Sequence, residues 1–146
     1  MATIKLPPDF KEFLKLLNSN EVEYLLIGGY AVGYYGYPRP TGDMDIWIAR
    51  NSDNADRLVA VLEEFGFTCP AEVLLEENQV VRMGVPPFRI EVLTTIDGVK
   101  FSECYVGRVQ VVLDEVEVSL ISLPQLKVNK KASGRSKDIT DLENLP

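Results

Sequence analysis

The chain of 146 residues contains no histidine. That absence excludes His–Zn centres, imidazole acid–base catalysis and the Ser-His-Asp and Cys-His nucleophile schemes, which need a side chain that titrates near neutrality. Cysteine is scarce. Cys69 and Cys104 stand far apart, show no metal-ligand spacing and read as reduced thiols rather than a disulfide. No apolar run reaches the roughly 18 residues that a membrane-spanning helix requires. The opening stretch MATIKLPPDF lacks the apolar centre of a signal peptide. A cytoplasmic protein with no membrane partner is therefore expected. Positive charge is also short: 15 Lys and Arg stand against 22 Asp and Glu, for a net charge of −7. Phosphate contacts rely on Lys and Arg, so no non-specific nucleic-acid binding is expected. There are enough hydrophobic residues, 46%, for a real core, and the length suits a single domain over residues 1–146.

What is present concentrates in one stretch, Tyr24 to Ile48. It reads as strand, glycine turn, short helix, loop and strand. The apolar run Tyr24 to Ile27 stops at Gly28-Gly29, where the backbone can approach a phosphate closely with a helix start just behind it. Asp43-Met44-Asp45-Ile46-Trp47-Ile48 then alternates with period two. Residues i and i+2 of a strand share a face, about 6.5 Å apart. Asp43 and Asp45 thus form a pair, with Met44, Ile46 and Ile48 on the other face. Two adjacent carboxylates repel unless a cation stands between them, and hard oxygen donors suit Mg²⁺ or Mn²⁺. A phosphate cradle followed by a metal clamp suggests nucleotide chemistry.

The rest of the chain supplies further elements. A helix is expected from Pro7-Pro8-Asp9 to about Asn18, with Phe10, Phe13, Leu14 and Leu17 on one stripe. A second runs from Asn51 to Gly66, capped by Asn51 or Ser52. Val73 to Gly84 reads as short strands around the acidic turn Glu76-Glu77-Asn78. Strands follow at Phe88 to Thr94, Val106 to Val112 and Val116 to Ile121, the last two forming a hairpin at Leu113-Asp114-Glu115. Leu123-Pro124 opens a helix that Gly134 ends, and Lys137 to Leu145 makes a last one. Lys127, Lys130, Lys131, Arg135 and Lys137 gather positive charge here, which also fits the exposed end of a helix that favours lysine near its C-terminus. The tyrosines at 30, 34, 35 and 37 fit packing better than base stacking, and Trp47 fits burial better than pocket lining. Arg39, between two prolines, fits either a phosphate contact or a solvated loop, and Thr41 either a hydrogen bond near Asp43 or simple turn chemistry.

The order of Gly28-Gly29, about a dozen residues, then Asp43-Met44-Asp45-Ile46 resembles the nucleotidyltransferase superfamily with the DNA-polymerase-beta-like fold. Arg39 and Thr41 before the acidic pair, with Lys127, Arg135, Lys137-Asp138 and Asp141-Leu142 in the tail, resemble the bacterial minimal nucleotidyltransferases and abortive-infection-type toxins in particular. The likeness covers Tyr24 to Leu145. It implies an α+β fold, a mixed sheet flanked by helices. It implies a third carboxylate on a later strand, here Glu91 within Arg89-Ile90-Glu91-Val92-Leu93, where these relatives usually carry Asp. The implied activity is metal-dependent transfer of a nucleoside monophosphate from a nucleoside triphosphate to a hydroxyl acceptor on a partner protein or RNA. In that scheme Asp43, Asp45 and Glu91 hold Mg²⁺ or Mn²⁺ and act in catalysis. Gly28, Gly29, Arg39 and Thr41 line the nucleotide, and Lys127 or Lys137 steadies pyrophosphate. The alternative is a binding module of the same fold, with little or no turnover, paired with a helical partner protein as in a toxin–antitoxin couple. A plain cation-binding or structural domain is a third class.

Overall fold

The computed structural model describes residues 4–38 and 42–146. Helix α1 (Pro8–Ser19) has proline in its first turn and Asp9 beside it, where neither a missing N–H nor a negative charge is penalised. It buries Phe10, Phe13, Leu14 and Leu17 as one stripe. Strand β1 (Tyr24–Ile27) is buried along its whole length and runs directly into helix α2 (Gly28–Tyr34). Strand β2 (Asp43–Ile48) leads to helix α3 (Ser52–Glu64), whose cap Asn51 accepts a hydrogen bond from the Asn54 amide. A short helix α4 (Ala71–Leu75) precedes strands β3 (Val80–Val85) and β4 (Phe88–Leu93). Helix α5 (Phe101–Val106), strands β5 (Val109–Leu113) and β6 (Val116–Leu120), and helices α6 (Leu123–Ser133) and α7 (Ser136–Asn144) complete the order.

The six strands form one sheet in the order β3-β4-β2-β1-β6-β5. β2 runs parallel to β4 and β1 parallel to β6, while the remaining neighbours are antiparallel. The sheet is therefore mixed, and with its helices the class is α+β, as the resemblance implies. The central strands β1 and β2 carry the densest burial, including Leu25, Leu26, Met44, Ile46 and Ile48. Asp114 and Glu115 turn the β5–β6 hairpin with φ of 47° and 71°, which suits a tight two-residue turn. Gly134 ends α6 with φ 64°, the left-handed cap that its position in the sequence predicts. Both cysteines are free and buried. Among the described residues, no helix is long and apolar enough to cross a membrane.

Two segments differ from the sequence reading. Val73 to Leu75, where the expected short strands begin, instead belong to the helix Ala71–Leu75, with Pro70 entering it at φ −65° and Leu74 buried beneath. The second is α5, which no periodicity announces. Val106, expected to open a strand, instead closes this helix and is 85% exposed. Both helices are too short for a 3.6-residue pattern to emerge, and tertiary docking decides them. Phe101 of α5 packs edge-on against Trp47, with ring centroids 5.1 Å apart.

Candidate active site

The site starts from the register of two parallel strands. β2 and β4 align Asp43 with Arg89 and Asp45 with Glu91. Met44 and Ile46 on β2, and Ile90 and Val92 on β4, are buried, so period two turns all four charged residues to the other face of the sheet. The antiparallel β3 adds Arg82 opposite Glu91. Three acids and two arginines therefore share one face of three neighbouring strands, with Glu91 and Asp45 side by side.

The arginines neutralise part of the acidic set. Arg89 donates from Nε to Asp43 Oδ1 at 3.4 Å and from Nη2 to Oδ2 at 3.2 Å. The same Nη2 lies 3.9 Å from Glu91 Oε1, and Arg82 Nε lies 3.6 Å from that oxygen. The hydrogen bond to Asp43 holds the Arg89 guanidinium above its ordinary pKa. Asp45 is treated differently. Burial, then the Glu91 and Asp43 charges, push its carboxyl up to about 6, against the pull of Lys137 and Lys130.

Gly28 is shaped to this carboxylate. Its φ of 69° favours glycine, and a Cβ at this position would collide with Asp45 Oδ2. Gly42 similarly leaves no room for a Cβ beside the Pro87 carbonyl, so β2 enters the sheet tight against the β3–β4 turn.

A cleft of about 690 Å³ opens over these residues, lined also by Gly28, Gly29 and Asn129 and by a basic wall of Lys130, Arg135 and Lys137. The basic wall is built on a buried ionic network. Lys130 is 4% exposed, and its Nζ lies 3.1 Å from both Asp138 Oδ1 and Asp141 Oδ2. Arg135 donates to Asp138 from Nε at 2.9 Å and from its backbone amide at 3.2 Å. Burial alone would raise the Asp138 carboxyl, but the Arg135 and Lys130 hydrogen bonds bring it below its ordinary value. This network ties α7 to α6 and leaves Arg135 and Lys137 exposed at the cleft rim.

Six of the expected residues line this cleft: Gly28, Gly29, Asp43, Asp45, Glu91 and Lys137. Lys127 does not; its Nζ donates to the carbonyl of Pro146. Arg39 and Thr41 lie outside the described residues. The tyrosines at 30, 34, 35 and 37 are absent from the lining, and Tyr35 donates its hydroxyl to the Ile121 carbonyl at 2.6 Å, which fits the packing role. Trp47 is buried, beside a larger cavity of about 770 Å³ that contains none of Asp43, Asp45 and Glu91 and meets the cleft only at Thr95 and Ile96. Sequence reasoning passed over Arg82, Arg89 and Asn129, and treated Lys130 only as surface charge. Arg89 was within reach of strand parity, since it stands two residues before Glu91 and must share its face.

The donor set of Asp43, Asp45 and Glu91 is all carboxylate oxygen, the chemistry of a hard divalent cation. Among the described residues, no group of three or more His, Cys, Asp or Glu side chains is placed to hold a metal ion as they stand. The Arg89 fork occupies Asp43 and reaches Glu91. The residues fit such an ion by type and by shared face, with Arg89 turned aside.

The architecture matches solved structures. A candidate nucleotidyltransferase from Thermotoga maritima aligns with TM-score 0.62 and 14% identity, over 92% of this chain and 88% of its own. An antigenic nucleotidyltransferase-like protein from Paracoccidioides brasiliensis aligns with TM-score 0.55 and 18% identity, over 92% of this chain and 71% of its own. At such identities the likeness establishes the fold, a nucleotidyltransferase-like α+β architecture. Residues 8–146 match the family described as nucleotidyl transferase of unknown function (DUF2204), and the chain belongs to that family. Among curated proteins there is no match.

Proposed function

We propose that this protein transfers a nucleoside monophosphate from a nucleoside triphosphate to a hydroxyl acceptor, with Mg²⁺ or Mn²⁺ held by Asp43, Asp45 and Glu91. The observation that carries this reading is the meeting of acids and bases in one cleft. Acids on β2 and β4 share its lining with Lys130, Arg135, Lys137, Gly28 and Gly29, and the charges of Lys137 and Lys130 act on Asp45. When bound, the cation neutralises the triphosphate and polarises the phosphoryl group under attack. The backbone at Gly28-Gly29 seats the β and γ phosphates. The acceptor oxygen attacks the α-phosphorus, the bond to the β-phosphate breaks, and pyrophosphate leaves. Glu91 takes the acceptor proton, and Lys137 and Arg135 receive the charge of the leaving pyrophosphate. The acceptor is a hydroxyl on a partner protein or an RNA, and an intracellular setting suits both.

One observation favours a second reading, a nucleotide-binding module with little turnover that acts through a partner protein. Arg89 and Arg82 already pair with Asp43 and Glu91, so the free protein holds a partly neutralised site. Incubation with each labelled nucleoside triphosphate, Mg²⁺ or Mn²⁺, and candidate protein and RNA acceptors separates the two. Label transfer that Asp45→Asn abolishes supports the transferase. Nucleotide binding with no transfer under any condition supports the module.

A further inference from the structure

We propose that Arg89 is an internal counter-ion that holds the acidic site together in the free protein and couples cation binding to nucleotide binding by changing partners; this rests on the metal-dependent reading above. The geometry is that of an exchangeable ion. Both oxygens of Asp43 face the Arg89 fork, at 3.4 and 3.2 Å, while Glu91 is at 3.9 Å. Asp45 has no such arginine across the strand; its register partner is Glu91, another acid. Arg89 therefore stands on one corner of a four-residue block and partly compensates the other three, while Arg82 reaches Glu91 alone from β3.

Arg89 is also free to leave. Its side chain is 33% exposed, and it projects from the sheet face opposite the core. A guanidinium keeps its charge at any physiological pH, and its fork suits carboxylate and phosphate alike. A divalent cation arriving alone must displace this fork from Asp43 and leave it beside the incoming charge with only Glu91, itself a ligand in this scheme, to pair with. A cation arriving with a triphosphate brings a new partner, since a phosphate oxygen can take the fork that Asp43 releases. Cation and nucleotide thus reinforce each other through one side chain, a coupling that is reciprocal by linkage. Arg89 is a positioning residue in this scheme.

The test measures Mn²⁺ alone, by the electron paramagnetic resonance signal of the free ion, on the parent, Arg89→Gln and Arg89→Lys. The titration is repeated with a non-hydrolysable nucleoside triphosphate analogue, corrected for Mn²⁺ held by the analogue itself. Removing a unit charge a few ångströms from the ion gives Arg89→Gln about tenfold tighter binding of Mn²⁺ alone. Its gain in Mn²⁺ affinity on adding the analogue is smaller than the parent's. Arg89→Lys keeps the charge but loses the fork, and falls between the two; it carries the test where the Gln variant does not fold. Mn²⁺ affinity in both variants equal to or weaker than the parent's overturns the inference. Tighter Mn²⁺ binding in Arg89→Gln with no nucleotide turnover in any protein leaves the inference standing and removes the transferase reading. Failure of all three proteins to bind Mn²⁺, with or without the analogue, overturns both.

Discussion

Gly28 and Asp45 share one volume: the carboxylate of Asp45 lies where a side chain at position 28 would begin. Gly28→Ala meets two costs there, a left-handed φ of 69° and a collision with Oδ2. Strain of that kind costs about 1–3 kcal/mol. The expected outcome is a folded protein with a lower melting temperature and a displaced Asp45. Mn²⁺ titration reads the displacement as a loss of affinity, and parental affinity in the variant would separate Gly28 from the acidic site.

The Asp45 carboxyl gives the site a pH signature. Its pKa rises from 3.8 in the unfolded chain to about 6 in the fold. A raised carboxyl pKa means that protonation favours the folded state, a contribution present in full below about pH 4 and lost as pH climbs through 6. Asp45→Asn removes that titration. In chelator-treated, metal-free buffer the variant is more stable than the parent at pH 7.5, by an amount on the order of 2 kcal/mol, and the two converge near pH 4. Thermal melts across that range check it, and parallel curves would contradict it.

Lys130 carries the opposite expectation. It is the buried cation between Asp138 and Asp141. Lys130→Met fills the volume but leaves two buried carboxylates without it, which costs about 3–5 kcal/mol. Denaturant unfolding shows a lower midpoint, and α7 loosens first, visible as faster amide exchange over residues 136–144. A change below about 0.5 kcal/mol, the usual range for a surface substitution, would mean that the network does not hold the two helices together.

Two lysines of the tail separate by position. Lys137 lines the cleft, whereas Lys127 is absent from its lining and donates to the Pro146 carbonyl. Lys137→Ala weakens binding of a nucleoside triphosphate several-fold, with the fold intact. Lys127→Ala leaves nucleotide affinity at the parental value. Isothermal titration of both variants decides it, and equal losses would return Lys127 to the site.

The sequence by itself determined what depends on local pattern. Period two through Asp43 to Ile48 set the acids on one face and Met44, Ile46 and Ile48 on the other. Proline at the start of α1, Gly134 after α6 and the Asp114-Glu115 turn marked their elements, because each meets a backbone requirement within a few residues. The order of glycine pair, acidic pair and later Glu91 pointed to the family before any contact was known. The tertiary structure decided what depends on distant partners. Only the parallel register of β2 and β4 sets Arg89 against Asp43 and Glu91 against Asp45. Only the packing of α7 on α6 buries Lys130 and divides Lys137 from Lys127. The charge of a lysine or arginine is written in the chain, but its role is fixed by which carboxylate stands within about 4 Å of it, and residues 46 apart in sequence, such as Asp43 and Arg89, meet only when the sheet is assembled.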